Sequence, residues 1–138
     1  DQTSIDLAEV FKDVEAHQKI NRIICSRTTN PGDIRANALN TIDLSKATTI
    51  LDLGCGFGFF TLALKGKTNT EAGITGIDCH PGYRNSYLES CKQAEITGKF
   101  IGECINSIRR IKSRSVDIIL CSYALYFFPE ILLNINRT

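Results

Sequence analysis

Hydrophobic positions change their period several times along this chain, and each change marks an element. Leu7, Val10, Phe11 and Val14 recur at helical spacing and Ile20, Ile23 and Ile24 extend the stripe, which predicts an amphipathic helix over residues 5–25, packed on the body of the domain. The stretch RTTNPGD supplies turn formers and an N-cap, and DIRANALNTIDL reads as a second, shorter helix. At ATTILDLG the period changes to β-branched and apolar residues bounded by Lys46 and a glycine, which predicts a buried strand. FFTLALKG resumes a helical pattern as far as Gly66, AGITGIDCHPG is a second strand closed by Pro81-Gly82, and YRNSYLESCKQAEITG is a helix with Gly98 at its end. KFIGEC follows as a short third strand, INSIRRIKSRS as a helix or crossover loop, and VDIILCSYALYFF as a fourth strand running toward Pro129.

Strands alternating with helices predict an α/β fold built on a parallel sheet with right-handed crossovers. No repeat, low-complexity segment or linker divides the chain, so residues 1–138 read as one domain, with helices over 1–45 and the core over 46–138.

Composition narrows the function. Sixteen basic and fifteen acidic residues leave a net charge of +1, so no large electrostatic footprint for nucleic acid or an anionic membrane is written into the chain. The one basic cluster, Arg109, Arg110, Lys112 and Arg114, reads as a solvated face. The six cysteines are scattered, mostly within apolar segments and without a C-x-x-C pair, which predicts reduced thiols and a cytoplasmic setting. His17 and His80 are too few to build a recognisable zinc set, so no metal is expected. No apolar run reaches membrane-spanning length, and DQTSIDLAEV lacks the pattern of a secretion signal. With no methionine at all, the chain reads as a processed or recombinant product, or as one whose methionines were modified and are missing from the sequence.

The stretch ILDLGCGFGFFTL carries the chemistry. Gly54, Gly56 and Gly58 fall just past the first strand, where a parallel sheet binds its ligands, and glycine lets the chain turn tightly and lets ligand atoms approach the backbone. A dinucleotide fingerprint needs G-x-G-x-x-G, yet here the third glycine comes one residue early and Phe59 stands in its place. Asp52 would repel a pyrophosphate and attract an ammonium group, which favours a cationic ligand carrying a ribose.

ILDLGCGFG resembles motif I of the class I S-adenosylmethionine-dependent methyltransferases, and Asp78 at the end of the next strand stands where that family places its ribose-binding acid. KFIGEC is similar to the family's third strand, with Glu103 in the acidic place and Cys104 after it, and SVDIILCSYALYFFP is similar to the fourth, with Val116 where Phe is more usual. The resemblance covers Thr48 to Pro129. It implies a three-layer Rossmann-like fold with helices on both faces of a mainly parallel sheet, and S-adenosylmethionine as cofactor. Carried over by position, it implies that Gly54, Cys55, Gly56 and Gly58 line the methionine part, with Asp52 near its amino group. Asp78 would hold the ribose, Cys79 would pack on the adenine face, Glu103 and Cys104 would lie near the adenine edge, and Ser122 would sit under the sulfonium.

Methyl transfer from a sulfonium is an in-line displacement that rests on alignment and exclusion of water, with a general base optional. No base is evident in the sequence. Tyr123 and Tyr126 read as core more than as substrate contacts. The neutral charge balance makes a small-molecule methyl acceptor the expectation. A nicotinamide-dependent oxidoreductase and a non-catalytic Rossmann-like interaction module are the alternatives. The family's sheet carries strands beyond the fourth that this sequence does not show. The chain is therefore expected to be a piece of a longer methyltransferase, or to pair with a second copy across its fourth-strand edge.

Overall fold

The computed structural model describes residues 13–27, 34–103 and 111–122. At its centre lies β1 (Thr49–Leu53), buried at every residue after Thr49. Burial of consecutive residues is what an inner parallel strand requires, since its side chains alternate between two covered faces. β1 pairs in parallel with β2 (Gly73–Ile77) on one side and β4 (Ile118–Cys121) on the other, and β3 (Thr97–Ile101) extends the sheet beyond β2. The strand order is β3-β2-β1-β4. The chain thus steps outward from β1 to β3 and then returns to β4, which puts the switch in crossover direction between β1 and β4. Open α/β sheets bind ligands beyond the carboxyl ends of their strands at such a switch.

The helices α1 (Val14–Arg27), α2 (Ile34–Leu39), α3 (Phe59–Ala63) and α4 (Arg84–Gln93) contribute to one face. Val14, Leu39, Phe59, Leu64, Tyr87 and Cys91 join Ile50 and Ile74 in the main core there. Leu51, Leu53 and Ile77 form a second cluster, flanked by Ile101, Ile111, Val116 and Cys121. Residues 105–110 of INSIRRIKSRS, read as a helix or crossover loop, lie outside those described. At the opposite end of the sheet from the glycine loop, the Asp117 carboxylate accepts hydrogen bonds from the Thr48 and Thr49 amides, both at 3.0 Å, and so joins the starts of β1 and β4. These bonds hold Asp117 below the usual carboxylate range.

The elements follow the sequence reading in order and type, with three corrections. Of the first helix's stripe, Val14 packs on the core while Ile20 and Ile23 are 54% and 52% exposed; Leu7, Val10 and Phe11 lie outside the described residues. Gly98 does not end a helix. The chain leaves α4 at Gln93 and turns through Glu95 at φ 60, and Gly98 sits within β3, where an added Cβ would stand 2.4 Å from the Cys91 Sγ. Close helix–strand approach, not capping, is what requires glycine there. The third strand accordingly begins at Thr97, before the KFIGEC stretch, and the described fourth strand is short, Ile118–Cys121.

Candidate cofactor-binding site

The three glycines after β1 all take left-handed backbone conformations, Gly54 at φ 64, Gly56 at 47 and Gly58 at 82, yet they do different work. The amides of Gly54 and Cys55 donate to the Ile77 carbonyl at 2.8 and 3.2 Å, which ties the end of β1 to the end of β2. The Gly58 amide donates to the Cys55 carbonyl at 2.8 Å and closes the loop. A Cβ at Gly58 would meet the Ser90 Cβ at 2.9 Å, so this glycine serves the packing of α3 against α4. Around Gly56 nothing lies within 4 Å of where a Cβ would stand. Of the two, Gly56 is therefore the one that leaves room for a ligand against the backbone.

Phe57, the bulky residue between them, is buried against Tyr83 edge-on, with ring centroids 4.8 Å apart, and its carbonyl accepts from the Ser90 hydroxyl at 2.6 Å. The loop is thereby fastened to the turn Pro81–Tyr83 and to α4. The Cys55 side chain points into the core. Its Sγ would stand 2.7 Å from a Cβ at Gly76, inside the core, and burial pushes the thiol far above its ordinary range. What Cys55 offers the loop is its backbone.

On the β2 side, Asp78 is positioned by amides. Its Oδ2 accepts from the Gly56 N–H and its Oδ1 from the His80 N–H, both at 3.0 Å. A carboxylate has about four acceptor positions, so two backbone bonds fix its orientation and leave capacity for a pair of ribose hydroxyls. Cys79 and Glu103 are exposed just beyond β2 and β3, and Cys104 lies outside the described residues.

On the β4 side, side chains assemble the site. Asp52 is only 2% exposed and faces the helices on the side of Ile50. Thr61 Oγ1 lies 3.3 Å from both Asp52 Oδ2 and the Tyr87 hydroxyl. One threonine proton serves one acceptor, so Thr61 donates to Asp52 while Tyr87 donates to Thr61. Burial raises the Asp52 pKa to about 7, with the Asp78 charge adding to the rise and the Thr61 bond and the Arg35 charge opposing it.

Arg35, from α2, is a residue that the sequence reading passed over. Its Nε–H donates to the Ser122 hydroxyl at 3.0 Å, and its guanidinium lies over the Phe59 ring, 5.4 Å from the centroid. Asp52, Arg35, Phe59 and Ser122 thus gather at the β1–β4 switch, while Gly56, Asp78 and His80 gather at the β1–β2 junction. A single arginine in a helical segment carries no motif, and only the fold brings it to Ser122.

This arrangement does not suit a pyrophosphate. Phosphate loops aim successive amides at the ligand, whereas the amides of Gly54, Cys55, Gly56 and Gly58 are spent on Ile77, Asp78 and Cys55. Among the described residues no group of three or more His, Cys, Asp or Glu could hold a metal ion, and no helix is long and apolar enough to cross a membrane. An open glycine cradle between a ribose-suited carboxylate and a buried carboxylate fits an adenosine bearing a cationic amino-acid tail.

The chain is similar to several known proteins. The chain aligns over 83% of its length with a TehB-like SAM-dependent methyltransferase from Corynebacterium glutamicum, at 18% identity and a TM-score of 0.58, and spans 57% of that chain. It aligns over 72% with a SAM-dependent methyltransferase from Thiobacillus denitrificans in complex with S-adenosyl-L-homocysteine, at 21% identity and a TM-score of 0.53, and spans 40% of it. A shorter stretch of 41 residues is 46% identical to the 23S rRNA (uracil(1939)-C(5))-methyltransferase RlmD of Aliivibrio fischeri, covering 30% of this chain and 9% of that enzyme. Residues 50–137 match the methyltransferase domain family, and the chain belongs to it, a Rossmann-like member of the S-adenosylmethionine-dependent methyltransferases.

Proposed function

We propose that this chain binds S-adenosylmethionine between Asp78 and Asp52 and serves methyl transfer to a small-molecule acceptor. The observation that carries the cofactor's placement is the cradle at Gly56, open on one side and bonded to Asp78 on the other. When bound, the cofactor supplies an electrophilic methyl on a sulfonium. The chain's residues bind and orient it. Asp78 takes the ribose hydroxyls, Gly56 gives the backbone clearance, and Asp52 faces the ammonium group. Ser122, at the tip of β4, lies where the sulfonium end would reach. No side chain among these needs to remove a proton before the displacement, since alignment and dryness do most of the work.

A small acceptor is favoured by the charge balance of +1, which writes no large basic footprint for RNA into the composition. The RNA specificity of the A. fischeri enzyme belongs to a protein of which this chain matches a small part. Calorimetric titration with S-adenosylhomocysteine and with NAD tests the cofactor: binding of the first alone supports the proposal, and binding of NAD alone or of neither refutes it. Transfer of a labelled methyl group into a cell extract separates acceptor classes, with label in the small-molecule fraction expected and label in the RNA fraction contradicting it. Pairing of two copies across β4 is the partner reading, supported by Ile119 on that strand at 59% exposed. Sedimentation at several concentrations checks it, and a constant monomer mass refutes it.

A further inference from the structure

β4 is bonded to β1 along one edge, and no described strand lies against the other. Which groups face that open edge follows from one bond. The Asp117 amide donates to the Thr49 carbonyl at 2.9 Å, at the start of β1, and along a strand the backbone groups of successive residues turn to opposite edges. Ile119 and Cys121 therefore face β1 together with Asp117, and the N–H and C=O groups of Ile118 and Leu120 face outward. An isoleucine is exposed on each side of this edge. Ile42 is 57% exposed in an apolar groove of about 410 Å³ between β4, Phe60 and the segment from Ala38 to Leu44. Ile119, at 59%, points to the opposite face, since its neighbour Leu120 is buried in the main core. Charge divides along the strand as well. Asp117 stands at the foot, with Asp43 between the groove residues Ile42 and Leu44, while Arg35 is bonded to Ser122 at the tip.

We infer that a second copy of the chain occupies this edge and its groove, with the two β4 strands antiparallel about a two-fold axis through Ile119. The inference rests on the pairing across β4 proposed above and gives it a geometry. A two-fold that sets like strand edges side by side stands perpendicular to the sheet, so it reverses the strand, keeps each face on its own side and pairs one residue with its own copy. Centred on Ile119, it lets Ile118 and Leu120 exchange backbone hydrogen bonds crosswise with the same two residues of the second copy. Ile119 then meets its own copy as a non-hydrogen-bonded pair, where Cα atoms come closest, about 4.5 Å. The two grooves lie on the same face, so they join into one and bury Ile42 of both copies. A short strand edge alone makes a small interface, and the joined groove supplies the apolar centre that it needs. Reversal also carries the acidic foot of each copy toward the cationic tip of the other, beside the cofactor mouth.

Disulfide trapping in the full chain reads the position of the axis. Ile119→Cys, treated with oxidised glutathione, is expected to run mainly as a disulfide-linked dimer without reductant, because a close antiparallel pair holds its Cβ atoms near the disulfide range. The unaltered chain and Glu89→Cys, altered at an exposed site on α4, control for the native thiols and for chance collision. Sedimentation then reads the two faces separately. Ile119→Lys sets two ammonium groups on the axis and should weaken association about 10–100-fold, and Ile42→Asp should weaken it about tenfold by charging the joined groove. Both side chains are exposed, so circular dichroism should show each variant folded. A dimer whose Ile119→Cys form crosslinks no better than Glu89→Cys overturns the two-fold geometry while pairing itself stands. Unchanged association of Ile42→Asp overturns the joined groove. A constant monomer mass of the unaltered chain sinks the pairing reading, and this inference with it.

Discussion

The two halves of the site are built by different means. At the β1–β2 junction, backbone does the positioning: the Ile77 carbonyl takes two loop amides, and Asp78 is held by the amides of Gly56 and His80. At the β1–β4 switch, side chains do it: Thr61 and Tyr87 under Asp52, Ser122 and Phe59 around Arg35. Backbone geometry of the first kind demands glycine at given places and an acid one strand away, so it writes a motif. The second kind demands only that a suitable side chain arrive from somewhere. Mutations should therefore separate the two halves into a rigid part that fails by unfolding or by loss of ribose contacts, and an electrostatic part that fails by changes in selectivity and proton uptake.

The largest expected effect lies in the rigid half. A Cβ at Gly76 would stand 2.4 Å from Tyr87 Cζ and 2.7 Å from Cys55 Sγ, atoms of a core that packs α4 onto β2. Gly76→Val adds three carbons to that space. Overpacking typically costs about 1–3 kcal/mol and more where backbone must move, so the variant is expected to lose most of its stability in urea or thermal melts. A melt within a degree or two of the parent would show that α4 shifts freely, and the rigidity argued for this half would be wrong.

Next comes Asp78→Ala, which removes the proposed ribose acceptor and frees two amides. It should weaken S-adenosylhomocysteine binding by about 1.5–3 kcal/mol, the scale of hydrogen bonds to a charged group. Circular dichroism should show the fold retained. Unchanged affinity in a folded variant would take Asp78 out of the site. Gly56→Ala is a finer probe of the same half. It places a methyl group in open space at a φ of 47, with a strain cost of about 1 kcal/mol. Its affinity should fall by more than this stability cost explains, because the methyl group enters the cradle. Normal binding at normal expression would mean that the space at Gly56 is not where the ligand lies.

The contrast between the halves also explains what the sequence disclosed. The strand at Ile50–Leu53, apolar but for Asp52, the glycines and Asp78 could be read because local period and turn chemistry specify them. Gly98 was misread because capping and close packing both select glycine, and only the Cys91 contact tells them apart. Cys55 was expected among the ligand-lining residues by position, but its side chain turns inward to Gly76 and leaves only the backbone in the loop. Arg35 could not be read at all. Its partner Ser122 is 87 residues away, and no periodicity or spacing connects them. Long-range side-chain meetings depend on the finished topology, here on α2 lying beside β4 at the switch point.

The smallest effect examines the electrostatic half directly. Burial holds the Asp52 pKa at about 7 in the folded chain, against 3.8 when exposed. Between these values the folded state binds a proton that the unfolded state does not, so the stabilising contribution is complete below about pH 4 and is lost as the pH rises through 7. Asp52→Asn should flatten the melting temperature over that window, and persistence of the slope would place its origin elsewhere. The groups that interact with Asp52 include Asp78, Arg35, Thr61, Tyr87, Cys55 and Cys91. Only an arriving ammonium would add a new positive charge beside it, and that charge favours the ionised carboxylate. Binding at neutral pH should therefore release a fraction of a proton, up to about one half, because Asp52 is near its midpoint there. Calorimetry of S-adenosylhomocysteine binding in buffers of different ionisation enthalpy measures this number directly. D52N should bind more weakly and release none. If the parent takes up or releases no proton at pH 7, the ammonium does not sit against Asp52, and the carboxylate serves only to hold Thr61 and Tyr87 beneath the loop.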